Sequence, residues 1–135
     1  MSDTPQPSQP TAGSAKDSLL STSLFICAAL VAAQGAFAGM FLSGTGVGRA
    51  LHLWTGFALP YLGFIPMFTV RSRVKDGRVS NRWGWVIFGF TLALWVQEAL
   101  GHMPFPVTTA IHVPLGVCLF GVGLAGALEA RRRGA

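Results

Sequence analysis

Four long apolar runs constrain the fold of this chain more than any other feature. They cover about residues 19–42, 50–70, 83–100 and 107–130 of the 135-residue sequence. A helix rises about 1.5 Å per residue, so a run of roughly 20 residues crosses the hydrocarbon core of a bilayer. Four strands could not close a barrel in lipid, and an open sheet edge would leave backbone groups unpaired. The sequence therefore predicts an all-α membrane protein with a four-transmembrane-helix bundle.

Charged residues are too few to cover the surface of a soluble domain, since 51% of the residues are apolar and only 11% are charged. The net charge is +5, and the basic residues flank the apolar runs. This placement indicates topology and contact with anionic lipid, and not nucleic-acid binding. We predict a disordered cytoplasmic tail over residues 1–17, a transmembrane domain over 18–131 and a basic cytoplasmic tail over 132–135.

Lysine and arginine residues lie almost entirely on one side of the predicted bundle. The loop 71–82 contains five of them, the C-terminal tail contains three arginines and the N-terminal tail contains Lys16. The opposite side contains only Arg49. Because cytoplasmic loops are enriched in Lys and Arg, we expect both termini in the cytoplasm.

Glycines and prolines mark the expected irregularities. Residues 43–48 are rich in glycine and predict a hinge between the first two helices. Three prolines lie inside the second and fourth runs, where they predict helix kinks: Pro60, Pro66 and Pro114.

The two halves of the chain resemble each other, which predicts two diverged helical hairpins. Gln34 is followed by His52 and Gly56 in the first half, and the second half repeats the pattern with a second set: Gln97, His112 and Gly116. Each histidine lies 19 residues before a cytoplasmic-boundary arginine, either Arg71 or Arg131. Equal spacing predicts equal depth near the outer face, with the two imidazoles facing each other across the bundle.

Two imidazoles at one depth are the ligand set of a six-coordinate b-type haem. The glycine four residues after each histidine lies on the same helix face, one turn deeper, and would leave room for the porphyrin plane. Arg49, about one turn above His52, and His102 in the outer turn could pair with the haem propionates. We therefore predict one haem b, with His52 and His112 as iron ligands. A packing or hydrogen-bonding role for the two histidines is the alternative.

The polar residues near the histidines have two interpretations each. Gln34 and Gln97 would form interhelical hydrogen bonds, or they would orient a histidine or a bound quinone. Glu98 would be an interfacial charge, or it would take up a proton or pair with Arg49. His102 lies in a turn and has no obvious partners as a metal ligand. No hydrolytic constellation is present, so we predict no catalytic residue.

The order of a glutamine-bearing helix, a His-x-x-x-Gly helix and a basic loop, followed by a second copy, resembles small four-helix bacterial integral membrane proteins over about Leu24 to Arg131. On His52 and His112 alone, the chain more distantly resembles four-helix b-type cytochromes and one half of haem A synthase. The first resemblance implies a bacterial cytoplasmic (inner) membrane. The second implies electron transfer through one haem, because no histidine lies near the inner face.

Two functions follow as hypotheses. The first is a membrane-embedded electron-transfer subunit with one bis-histidine haem near the outer face, for which quinone is a candidate redox partner. The second is a cofactor-free accessory or assembly subunit. In either case the small size of the chain suggests a larger membrane complex or a homo-oligomer. A small transporter is a weaker third alternative, because no run is plainly broken at mid-membrane.

Overall fold

The structure is a computed structural model that describes the backbone of residues 12–134 and the side chains of residues 18–133. The described residues form five helices: α1 (Ala12–Leu42), α2 (Gly46–Leu62), α3 (Phe64–Lys75), α4 (Asn81–His102) and α5 (Pro106–Gly134). Helices α2 and α3 together form a single span. Four segments are long and apolar enough to cross a membrane: Ser18–Leu42, Gly46–Lys75, Asn81–His102 and Pro106–Arg133. The predicted all-α, four-helix transmembrane bundle is confirmed.

The four spans form a square bundle. Helix α1 packs against α5 and against the α2–α3 span, and α4 packs against the same two neighbours. Within the described residues, α1 does not approach the backbone of α4, and α2 does not approach that of α5. These two pairs are therefore the diagonals of the bundle.

The two ends of the bundle differ in composition and packing. We call the end with the loop 76–80 and residues 131–133 the basic end, and the end with the turns 43–45 and 103–105 the histidine end. The fully buried side chains Leu24, Val70 and Ile87 lie toward the basic end, where they form the centre of the apolar core. The histidine end is packed less densely, and its central polar side chains are only partly buried.

Large apolar side chains cover the outside of the bundle. Trp54 and Trp85 are each 71% exposed, and many leucine, valine and phenylalanine side chains are also exposed. A soluble protein rarely exposes apolar surface on this scale, whereas a bilayer solvates it. The protein is therefore a multi-pass membrane protein.

The first hairpin turns sharply at residues 43–45. Gly44 adopts a positive φ of 85°, and Thr45 caps α2 by accepting a hydrogen bond from the Gly48 backbone N–H at 3.3 Å. Helix α2 begins at Gly46, so the second half of the predicted hinge is helical. Gly48 lies against α1, and a Cβ there would approach Met40 Cβ to 2.5 Å.

The second span is interrupted at Gly63, between α2 and α3, where Pro60 and Pro66 flank the junction. Proline has no backbone N–H, so neither Pro60 nor Pro66 can donate to the carbonyl four residues before it. The Gly63 carbonyl keeps a long helical hydrogen bond from the Met67 N–H, at 3.4 Å, and also accepts one from the Thr91 hydroxyl of α4, at 2.9 Å, which stabilises this junction. Pro114 lies inside α5, which continues without interruption.

The ends of the described chain extend the predicted spans. Helix α1 begins at Ala12, within the segment assigned to the N-terminal tail, and α5 continues to Gly134, through the three arginines. The predicted disorder of residues 1–11, and the last residue of the C-terminal tail, lie outside the described residues.

Candidate functional site: a pair of histidines on diagonal helices

The structure brings His52 and His112 together at the histidine end. His52 projects from α2 and His112 from α5, so the two rings approach each other along a diagonal of the bundle. Their ring centroids are 6.3 Å apart, and the ring planes form an angle of 65°. Both side chains are partly buried. The repeat predicts that the two histidines lie at equal depth, and in the structure their imidazoles lie next to each other.

Each imidazole is anchored by the backbone of the helix that precedes it in its own hairpin. His52 Nδ1 lies 3.2 Å from the Gln34 carbonyl oxygen, and His112 Nδ1 lies 3.0 Å from the Gln97 carbonyl oxygen. A carbonyl oxygen only accepts hydrogen bonds, so each Nδ1 carries the proton and donates it. In a neutral ring this leaves the Nε2 lone pair free. This tautomer is the one that binds a metal through Nε2.

The glutamine side chains fill the space beside Gly56 and Gly116, the glycines that follow each histidine by four residues in the repeat. A Cβ at Gly56 would lie 3.1 Å from Gln34 Nε2, and a Cβ at Gly116 would lie 3.2 Å from Gln97 Nε2. The missing side chains at Gly56 and Gly116 therefore admit a glutamine amide in each hairpin. The internal repeat is thus visible as two matching sets of contacts.

Gln34 also forms an interhelical hydrogen-bond network. Its amide nitrogen donates to the His52 carbonyl oxygen at 2.9 Å and to the Thr55 hydroxyl at 2.8 Å. The Thr55 hydroxyl in turn donates to the Leu51 carbonyl at 2.6 Å. Two buried oxygens at this level, Gln34 Oε1 and Gln97 Oε1, have no hydrogen-bond partner within the described part of the chain.

Glu98 lies beside the pair on α4, and within the described residues its ion pair is with His102 and not with Arg49. His102 Nδ1 is 3.4 Å from Glu98 Oε1 and 3.0 Å from the Glu98 carbonyl oxygen. Arg49 is exposed at the start of α2.

Sequence reasoning missed two residues that shape the site. A Cβ at Gly101 would lie 3.2 Å from His112 Cε1, so the absence of a side chain there accommodates the imidazole. Gly101 follows Gln97 by four residues, and that spacing on one helix face was the available signal. Thr55 is the second residue, and its position three after His52 gives no comparable signal.

The donor set suits haem better than a bare metal ion. Between residues 18 and 133, no group of three or more His, Cys, Asp or Glu side chains could hold a metal ion. A bare zinc site needs at least three protein ligands, whereas a haem iron needs only axial ligands because the porphyrin supplies the others. The two ring centroids are 6.3 Å apart, which is close enough for both imidazoles to bind one iron atom.

The space around the two imidazoles is the part of the site that does not yet match a porphyrin. The Gln34 amide and the Glu98 carboxylate occupy the gap beside Gly56, and the Gln97 amide occupies the gap beside Gly116, so a porphyrin requires all three side chains to move. Moving Gln34 breaks the two hydrogen bonds that its Nε2 atom donates, whereas the Gln34 and Gln97 amide oxygens have no partner to lose within the described residues. The two imidazoles therefore suit a haem iron as donors, but the space beside them is filled by protein side chains.

Comparison of the chain with protein-family models, with curated proteins and with solved structures gives no match.

Proposed function

We propose that the protein is a membrane-embedded haem b-binding electron-transfer subunit, in which His52 and His112 would hold the haem iron. The observation that supports this most strongly is the pair of imidazoles on diagonal helices, 6.3 Å apart, each with Nδ1 bonded to a backbone carbonyl. This arrangement leaves two Nε2 atoms available and fixes the orientation of both rings before any ligand binds.

Each residue of the site has a defined role in this proposal. The backbone carbonyls of Gln34 and Gln97 hold the imidazoles in the required tautomer. Their side-chain amides would turn away from Gly56 and Gly116 to admit the porphyrin. Arg49 pairs with a propionate at the end of the bundle. Haem, when bound, supplies a site that accepts and releases one electron at a time.

The proposed setting is a bacterial cytoplasmic membrane with both termini in the cytoplasm, so that the histidine end faces outward. The resemblance to small bacterial four-helix proteins and the distribution of Lys and Arg support it. One haem at one end does not carry electrons across the whole bilayer. The protein would therefore exchange electrons with quinone or with another subunit, within a larger complex or a homo-oligomer.

A cofactor-free accessory subunit is the second candidate, and a specific observation favours it. The glutamine amides already fill the glycine gaps, and both Nδ1 atoms are already hydrogen bonded. A bundle with these contacts closes without a prosthetic group. In that case the histidines and glutamines only hold the two hairpins together.

A reduced-minus-oxidised visible spectrum of the detergent-purified protein, expressed with ample haem, tests the proposal. We expect the sharp bands of a low-spin b-type haem, since two imidazole ligands favour the low-spin state. His52→Ala and His112→Ala should each abolish these bands. His102→Ala is the matched control, because this histidine lies at the same end but is bonded to Glu98, and its spectrum should equal that of the wild type.

The opposite outcome is equally informative. A featureless spectrum from well-folded wild-type protein would overturn the haem proposal and leave the accessory subunit as the favoured function. Bands that survive in both His52→Ala and His112→Ala would place the haem elsewhere and overturn the ligand assignment.

A further inference from the structure

Glu98 is a carboxylate inside a membrane span without a permanent cation beside it. Its side chain is only 17% exposed, and its Oε1 atom is buried without a hydrogen-bond partner in the described part of the chain. The adjacent His102 is charged only when protonated, and its Nδ1 is closer to the Glu98 carbonyl oxygen, at 3.0 Å, than to Oε1, at 3.4 Å. A carboxylate in this position is costly unless a cation accompanies it.

Aromatic rings lie on both sides of this carboxylate. Phe57 contacts His102 with the ring planes tilted by 56° and the centroids 5.1 Å apart, and Tyr61 packs edge to face on Trp95, also at 5.1 Å. Trp95 and His102 lie three residues before and four residues after Glu98, so all three share one face of α4. Phe57 and Tyr61 are likewise four residues apart on one face of α2. The carboxylate therefore lies between two pairs of rings.

Gly56 allows the carboxylate to reach α2. A Cβ at this position would lie 2.9 Å from Glu98 Oε2, closer than van der Waals contact permits. The rings lie on the outside of the α2–α4 contact, because Phe57, Tyr61 and Trp95 are between 37% and 60% exposed. A molecule dissolved in the bilayer can therefore contact these rings, and the Glu98 side chain is itself 17% exposed.

We propose that Glu98, Phe57, Tyr61 and Trp95 form a binding site for an organic ammonium ion with an apolar body. The carboxylate supplies the counter-charge, and the ring faces attract a cation through their quadrupoles. An inorganic metal ion is a poor occupant, since a single carboxylate lies here and no group of three metal-binding side chains lies in the described chain. This site does not use the Nε2 atoms of His52 and His112, but it shares the gap beside Gly56 with the proposed porphyrin, so we expect the ammonium ion to bind the haem-free protein.

Isothermal titration of the full-length, detergent-purified protein with benzyldimethylammonium tests the site. Isobutylbenzene is its neutral isostere, because a C–H group replaces the N–H⁺ group. We expect saturable binding of the ammonium ion and at least tenfold weaker binding of the hydrocarbon. Glu98→Gln should weaken ammonium binding at least tenfold, and Glu98→Asp should weaken it less because the charge is retained.

Two further variants separate a lost site from a lost fold. Glu129→Gln changes the same residue type at the basic end, where Glu129 pairs with Arg133 at 2.8 Å, and should bind the ammonium ion as the wild type does. Trp95→Leu keeps the carboxylate and removes one ring, so we expect severalfold weaker binding. Equal affinity of the wild type and Glu98→Gln would overturn the proposal, as would equal affinity for the ammonium ion and its neutral isostere, or absence of saturable binding.

The natural occupant could be a free amine or an ammonium-bearing lipid headgroup. Repeating the titration in phosphatidylglycerol vesicles with and without phosphatidylethanolamine separates these two sources. Competition by phosphatidylethanolamine assigns the site to the lipid headgroup, and unchanged affinity assigns it to a free lipid-soluble amine.

Discussion

At the scale of single residues, Gln34 shows how one polar side chain connects two helices in an apolar bundle. Its side-chain amide nitrogen donates to the His52 backbone carbonyl and to the Thr55 hydroxyl. The backbone carbonyl of Gln34 accepts a hydrogen bond from the His52 ring. No water competes for these groups inside a bilayer, although the unfolded helices in lipid also find polar partners. The net contribution of each bond is therefore modest, about 1 kcal/mol or less.

The coupling between Gln34 and Thr55 is measurable by a double-mutant cycle. We expect Gln34→Leu and Thr55→Val each to lower the free energy of unfolding by about 1 kcal/mol. Their combination should cost less than the sum, with a coupling of about 0.5 to 1 kcal/mol, because both remove the same hydrogen bond. Reversible unfolding in mixed detergent micelles, followed by circular dichroism, gives these values. Strict additivity would show that the 2.8 Å contact contributes nothing to stability.

The histidine pair was predictable from the sequence, and the environment of the glycines was not. Equal spacing from His52 and His112 to the boundary arginines fixes their depth, because helix rise is constant. The spacing cannot say which side chain fills the gap beside Gly56. That depends on the rotamer of Gln34 and on the distance between helices, and neither is encoded in a periodic pattern. For the same reason, the spacing did not predict the contact between Gly101 and His112.

At the scale of helices, the second span depends on a contact that comes from a different helix. The sequence predicted kinks at Pro60 and Pro66, because proline always removes a backbone donor. It did not predict that Thr91 would donate to the Gly63 carbonyl, since many threonines could have done so. Thr91 is buried, and Gly63 is so close to α4 that a Cβ would lie 2.8 Å from Leu94 Cδ1.

Substitution at this junction should therefore destabilise the bundle. We expect Gly63→Ala to lower the free energy of unfolding by about 1 to 3 kcal/mol through overpacking. Thr91→Val should cost about 1 kcal/mol through the lost hydrogen bond. Gly89→Ala is the matched control on α4, because nothing lies within 4 Å of its added Cβ. A loss of stability for Gly89→Ala equal to that for Gly63→Ala would contradict the assigned contact. Micelle unfolding curves measure all three.

The first hairpin offers a second test at the same scale. The sequence marked residues 43–48 as a hinge from their glycine content, but Gly48 is helical and buried against α1. An alanine there would place its Cβ within 2.7 Å of backbone atoms of Met40 and Phe41, which cannot move without shifting the helix. We expect Gly48→Ala to cost about 1 to 3 kcal/mol of unfolding free energy.

Gly46→Ala is the control for this prediction. It lies two residues earlier in the same helix, and nothing lies within 4 Å of its added Cβ. Because alanine favours helix over glycine by up to about 1 kcal/mol, this variant should be neutral or slightly stabilised. Thermal unfolding in detergent compares the two variants. Equal midpoints for Gly48→Ala and Gly46→Ala would contradict the close contact between α1 and α2 at Gly48.

At the scale of the whole molecule, the two ends of the bundle have different physical characters. The basic end holds most of the fully buried side chains, so close packing fixes its helices. The histidine end has partly buried polar groups and unpartnered glutamine oxygens. Apolar periodicity and length were enough to predict four spans, because the bilayer permits few alternatives. The difference in packing between the ends was not predictable, since it depends on which helices approach one another.

The orientation of the bundle in the membrane depends on the distribution of Lys and Arg over the whole chain. Only Arg49 lies at the histidine end, whereas eight Lys and Arg residues lie within the loop 71–82 and residues 131–133. We therefore expect the basic end to face the cytoplasm. Two exposed serines provide labelling positions, Ser43 in the first turn and Ser80 in the basic loop.

Cysteine labelling in intact spheroplasts decides the orientation. In a Cys27→Ala, Cys118→Ala background, Ser43→Cys should react with a membrane-impermeant maleimide from outside. Ser80→Cys should react only after the membrane is permeabilised. The background protein without an added cysteine is the control, and it should remain unlabelled in both conditions. The reverse pattern would place the histidine end in the cytoplasm, and a haem held by His52 and His112 would then exchange electrons with cytoplasmic partners and not with partners outside the membrane.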